Sequence, residues 1–71
     1  MATEARAHIT GTVWKILVKE GDTVTAEQVL MILESMKMEF PIEAPCDGVV
    51  TSLKVKENDP VHEDAVVAEI S

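Results

Sequence analysis

Few residues in this chain invite chemistry. Ser35-Met36-Lys37-Met38-Glu39 sets one amine between two thioether side chains, with Glu34 just before it. A lysine amine is a nucleophile only when neutral, and an unperturbed lysine has a pKa of about 10.4. Glu34 and Glu39, if close in space, would hold it protonated, so the chain alone is expected to be unreactive. A plainer reading is also open: a solvated surface lysine between two methionines that pack at alternate strand positions. His8 and His62 lie far apart and Cys46 is the only cysteine, so no metal-ligand spacing exists. No Ser-His-Asp set, phosphate-cradling loop or pair of catalytic carboxylates can be assembled. No catalytic residue and no metal ligand is assigned.

The elements that hold Lys37 are legible through an internal repeat. Setting Gly11–Glu34 over Gly48–Ser71, an offset of 37, gives eight identities in 24 pairs. They are Gly11/Gly48, Val13/Val50, Val18/Val55, Lys19/Lys56, Glu20/Glu57, Asp22/Asp59, Val24/Val61 and Val29/Val66. Ordinary residue frequencies would give about two. A unit this short cannot bury its apolar face alone, so two copies are expected to cover each other about a pseudo-two-fold axis. Lys37 falls between the copies, near the middle of the chain.

Each copy opens on Gly, runs through Val-x-x-(Ile/Leu)-x-Val, and reaches Lys-Glu and a turn at Gly21-Asp22 or Asn58-Asp59. Gly and Asn best tolerate positive φ. Leu53-Lys54-Val55-Lys56 alternates as a half-buried strand does. The three-residue step from Val13 to Ile16, and from Val50 to Leu53, breaks that phase and predicts a bulge after Val13 and Val50. Ala26–Glu39 is ambiguous by local pattern. Val29, Ile32, Leu33 and Met36 fit a helix, whereas the matching stretch Val66-Val67-Ala68-Glu69-Ile70 favours strand. Strand is the expectation for both.

Bulk properties set the outer limits. Seventy-one residues make one small domain, expected to span 1–71, with a thin core. Only Trp14 and Phe40 are aromatic, so Val, Ile, Leu and Met must fill that core. Trp14 matches Thr51 in the repeat, so the core does not require an aromatic there; it is either a partly exposed contact patch or filler, and filler is the expectation. Thirteen acidic residues against six basic ones give a net charge of −7, which disfavours nucleic acid. No apolar run approaches the roughly 20 residues of a membrane helix, and residues 1–8 hold no apolar signal core. A lone cysteine fits a reducing cytoplasm. A monomer is expected.

Ser35-Met36-Lys37-Met38 resembles the Ala/Ser-Met-Lys-Met signature of biotinyl domains. Gly11, Gly21-Asp22-x-Val24, Leu33-Glu34, Glu39, Ala44-Pro45 and Gly48 also stand where that family has them. Lipoyl domains usually carry Asp-Lys-Ala at this point. The resemblance implies an all-β fold, a flattened β-barrel or sandwich of two small antiparallel sheets, with the lysine on a tight hairpin. It implies biotin joined to Lys37 through an amide by a biotin protein ligase, and carboxyl transfer between biotin carboxylase and carboxyltransferase. The domain would then be a carrier and not an enzyme. Met36 and Met38 would form an apolar collar or else pack the hairpin base. Ser35 belongs to the signature, and Glu39 would help tell this tip from a lipoyl tip. A lipoyl-type carrier and an unmodified assembly module of the same fold are the alternatives. Glu27 and Asp64 replace glycines common in the family, which bears on turn geometry away from Lys37.

Overall fold

The computed structural model describes residues 2–71; Met1, the first residue of the expected 1–71 span, lies outside them. Eight strands follow one another: β1 (Thr3–Arg6), β2 (Gly11–Ile16), β3 (Thr23–Val24), β4 (Val29–Ser35), β5 (Met38–Glu43), β6 (Gly48–Leu53), β7 (Pro60–Val61) and β8 (Val66–Ile70). They form two antiparallel four-stranded sheets, ordered β1-β8-β6-β3 and β5-β4-β2-β7. No helix is found among the described residues, so Ala26–Glu39 resolves to strand, turn and strand as expected.

The repeat maps β2 onto β6, β3 onto β7 and β4 onto β8. It also carries β5 back onto β1, a match too degenerate in sequence to see. The reason is that Ala5 and Ile42, and Ala7 and Ala44, keep burial but not volume in every pair. The two sheets are therefore images of each other. Each is also built from both halves: β3 joins β6, and β7 joins β2. Neither half can complete a sheet alone.

Both expected bulges are present. The register slips between Val13 and Lys15 against β4, and between Val50 and Ser52 against β8. Each slip keeps the preceding valine fully buried and lets Trp14 or Thr51 turn outward. The core is aliphatic. Leu30, Met31, Leu33, Ile70, Val13, Val24, Val50 and Val67 are its largest fully enclosed side chains.

The identical residues at the turns tie the halves together. Gly21 N–H donates to the Val50 carbonyl (2.7 Å), and Asn58 N–H to the Val13 carbonyl (2.6 Å). Asp22 and Asp59 accept from the backbone of Lys19 and Lys56 (3.0 and 2.9 Å) and close their own turns. Glu20 accepts from Leu53 N–H, and Glu57 from Ile16 N–H, so each caps a strand of the other half. Gly21 and Asn58 have φ of 95° and 76°. Glu27 and Asp64, which stand where the family often has glycine, also keep positive φ (73° and 76°). The turn geometry survives the substitution, at a cost of about 1–2 kcal/mol per residue.

Gly11 and Gly48 have a different reason to match. A Cβ on Gly11 would lie 2.6 Å from the Glu34 carbonyl oxygen, and one on Gly48 2.6 Å from that of Ser71. These are the same close approach of β2 to β4 and of β6 to β8.

Candidate functional site

β4 and β5 pair without interruption from Ile32↔Pro41 through Leu33↔Phe40 and Glu34↔Glu39 to Ser35↔Met38. That leaves two residues, Met36 and Lys37, to reverse the chain. Right-handed strand twist selects a turn with both central residues at positive φ, and Met36 and Lys37 have φ of 52° and 65°. Such turns favour Asn-Gly. Holding two side-chain-bearing residues in this region costs about 1–2 kcal/mol each. A sequence that accepts this cost at its most exposed point suggests that the side chains are wanted there.

β2 pairs with β4 only as far as Thr12↔Glu34. The last rung and the turn therefore project beyond the neighbouring strand. Met36 is 91% exposed and Met38 60%, so the methionines do not pack the hairpin base. Lys37 is exposed. Ser35 is half-buried opposite Met38, beneath the turn.

Glu34 and Glu39 face each other across the ladder, both exposed. Among the described residues neither forms an ion pair with Lys37. The condition of closeness is not met among these residues: the two carboxylates sit one rung below the turn and outside ion-pair reach of the amine. Lys37 also makes no side-chain hydrogen bond among these residues. The arrangement is a free amine on a stiff stem: two strands fix its base, and its four-carbon chain can sweep.

The other chemistry-bearing residues are not gathered at this tip. His8 sits beyond β1, with its ring edge-on to Phe40 at 6.3 Å. Cys46 is free and half-buried between β5 and β6. No group of three or more His, Cys, Asp or Glu among the described residues is placed to hold a metal ion. Trp14 corrects an expectation. It is 44% exposed and not filler, because the bulge that seats Val13 turns the indole out.

The profile of the family described as "Biotin-requiring enzyme" matches residues 3–70. The chain belongs to this biotin/lipoyl attachment family. It is similar to the Biotin/lipoyl attachment protein of Bacillus subtilis, with 49% identity over 86% of this chain and 84% of that one. It is 39% identical to the Biotinylated protein TB7.3 homolog of Mycobacterium leprae, over the whole of both chains. Among solved structures, urea carboxylase of Kluyveromyces lactis superposes on all of this chain with a TM-score of 0.94 and 32% identity. This attachment domain spans 6% of that enzyme. The family places the chain with biotinyl-type domains, and its two antiparallel sheets are their fold.

The free amine fits the group that the family carries. An amide to a biotin carboxyl needs one primary amine with open space around it, and the tip offers this at Lys37. Sequence reasoning singled out this lysine as the candidate through its flanking methionines. It missed that the turn is strained at both central residues, a property no local pattern marks.

Proposed function

We propose that Lys37 is the biotin attachment point of a biotin carboxyl carrier domain, residues 1–71. The observation that carries this reading is the projecting two-residue turn, whose only amine is exposed and unpaired among the described residues. In the attachment step the neutral Nζ attacks the activated carboxyl of biotin. An amide forms, the activating group leaves with its electron pair, and the amine gives up a proton. A biotin protein ligase supplies the activated carboxyl. The protein's part is to present the amine in one place, clear of its own carboxylates.

Biotin bound there carries a carboxyl group on its ring, and the protein positions it. The domain is a carrier accessory to a biotin-dependent carboxylase and not itself a catalyst. Its partners on this reading are a biotin carboxylase that loads the arm and a carboxyltransferase that unloads it. Tethering keeps the effective concentration of biotin high at both sites. The exposed Met36 and Met38 give each partner an adaptable apolar grip. Ser35 supports the turn from below, and Glu39 marks the tip with negative charge. The unpaired, half-buried Cys46 fits the reducing cytoplasm where such carriers would work.

Intact mass after co-expression with a biotin protein ligase tests the reading. One biotin adduct is expected, lost in Lys37→Ala with the fold unchanged by circular dichroism. A lipoyl adduct would point to the lipoyl-type carrier instead. No adduct with either ligase would leave an unmodified assembly module.

A further inference from the structure

The pseudo-two-fold axis supplies an internal control: below the hairpin, the outward positions of β2, β4 and β5 have images on β6, β8 and β1. On the sheet without the hairpin, one row runs across the outer face through Thr51 and Ser52 on β6, Glu69 on β8 and Glu4 on β1. It is polar, and Thr51, Glu69 and Glu4 each have a partner in the row or beside it. The Thr51 hydroxyl donates to the Glu69 carbonyl (3.2 Å), and the Glu69 carboxylate pairs with Lys54 at 3.9 Å.

The image row, on the sheet that carries Lys37, runs through Trp14 and Lys15 on β2, Ile32 on β4 and Pro41 on β5. Thr51 is replaced by Trp14, Glu69 by Ile32 and Glu4 by Pro41; Ser52 is replaced by Lys15, the one charged member of the row, whose ammonium lies 5.9 Å from the Trp14 ring centroid. Lys54, the partner of Glu69, is replaced by Leu17. Trp14 is 44% exposed and Leu17 52% exposed, Pro41 is exposed, and Ile32 is half-buried. The fold evidently accepts polar residues at every one of these positions, since its other half has them. Folding alone therefore does not account for the apolar row.

We infer that this row is a docking surface for the carboxylase that loads the biotin arm, through a protein face with an apolar centre and a basic rim. The rim argument comes from charge. Glu34 and Glu39 border the row on the side toward the tip, and Glu43 lies beyond Pro41, all exposed. The chain carries a net charge of −7. A second copy of the chain would bring one acidic rim against another, which disfavours self-association. The row also lies at a useful distance. Ile32↔Pro41 is three rungs below Ser35↔Met38, about 10 Å at the usual strand rise. A partner seated on the row would hold the domain while Met36, Lys37 and Met38 stay free to enter its active site.

The inference rests on the carrier reading, and the test separates the two. Trp14→Thr with Ile32→Glu gives the row the residues of its own image. The double variant should fold, and intact mass should show complete biotinylation by the ligase. Loss of the adduct in wild type would strike at the carrier reading itself. Steady-state carboxylation by the biotin carboxylase of the same genome is then measured, with the biotinylated domain as substrate. The expected result is a KM at least tenfold higher for the variant, with kcat unchanged. Added salt should raise the wild-type KM as well. A KM within twofold of wild type overturns the inference, as does a biotinylated wild type that the enzyme does not carboxylate. A defect confined to the ligase step, or a wild-type dimer by sedimentation that the variant dissolves, overturns it in favour of the ligase or of a second copy.

Discussion

The turns at Lys19–Asp22 and Ser35–Met38 both bend the backbone through positive φ, yet they choose opposite residues for it. The first uses Gly21, and its image uses Asn58, residues that adopt such angles readily. Both are tied to the other half by backbone hydrogen bonds and closed by an aspartate. The hairpin uses Met36 and Lys37, which adopt these angles reluctantly, and nothing packs against them from a neighbouring strand. The first kind of turn occurs twice because the fold needs it twice. The hairpin occurs once, and on the proposed reading its residues answer to chemistry.

The sharpest break of that contrast is Lys37→Gly. It should abolish the biotin adduct by intact mass while raising stability to urea by about 1 kcal/mol, since the turn is relieved. A loss of stability would mean that the tip residues serve the fold after all.

Gly48→Ala acts in the opposite sense. Its new Cβ would meet backbone at 2.6 Å, so a loss of about 1–3 kcal/mol is expected in chemical denaturation, with biotinylation of the remaining folded protein intact. Gly11→Ala should match it, because the image contact has the same length.

Gly21→Ala is a milder case. A Cβ there meets nothing within 4 Å, but φ is 95°. The cost should be near 1 kcal/mol, read as a lower urea midpoint with an unchanged slope. A neutral result would show that this turn can relax, which Gly48 cannot.

The smallest effects belong to the strand caps. Glu20→Gln and Glu57→Gln each weaken one hydrogen bond to a strand of the other half, worth about 0.5 kcal/mol at these exposed sites. Equal losses at the two positions are expected from differential scanning calorimetry. Unequal losses would show that the two-fold symmetry does not extend to energetics.

Much of this was legible in the chain. The repeat, the bulges after Val13 and Val50, and the tolerance of Asn58 for positive φ all follow from spacing and residue type. Lys37 was legible as a candidate, but its environment was not. Glu34 and Glu39 are neighbours of Lys37 in sequence, and only the projecting turn separates their carboxylates from the amine. The match of Trp14 to Thr51 shows only that the core needs no aromatic there, and the bulge after Val13 decides that the indole faces outward. Met36 and Met38 could be core or collar on any strand pattern, since period two does not say where the neighbouring strand stops.

The sequence by itself determined that two copies of one unit flank Lys37, where each copy turns, and that a Ser-Met-Lys-Met segment joins them. These are local properties, set by side-chain period and backbone preference. Only the tertiary structure decided that β3 and β7 cross into the opposite sheets, that β1 is the image of β5, and that Glu20 and Glu57 cap each other's halves. Those arrangements depend on strand pairings and, for the caps, on hydrogen bonds between residues 33 and 41 positions apart, where no local pattern reaches. The same holds at the tip. That Lys37 stands free follows from where β2 ends its pairing with β4, a fact of packing and not of the motif.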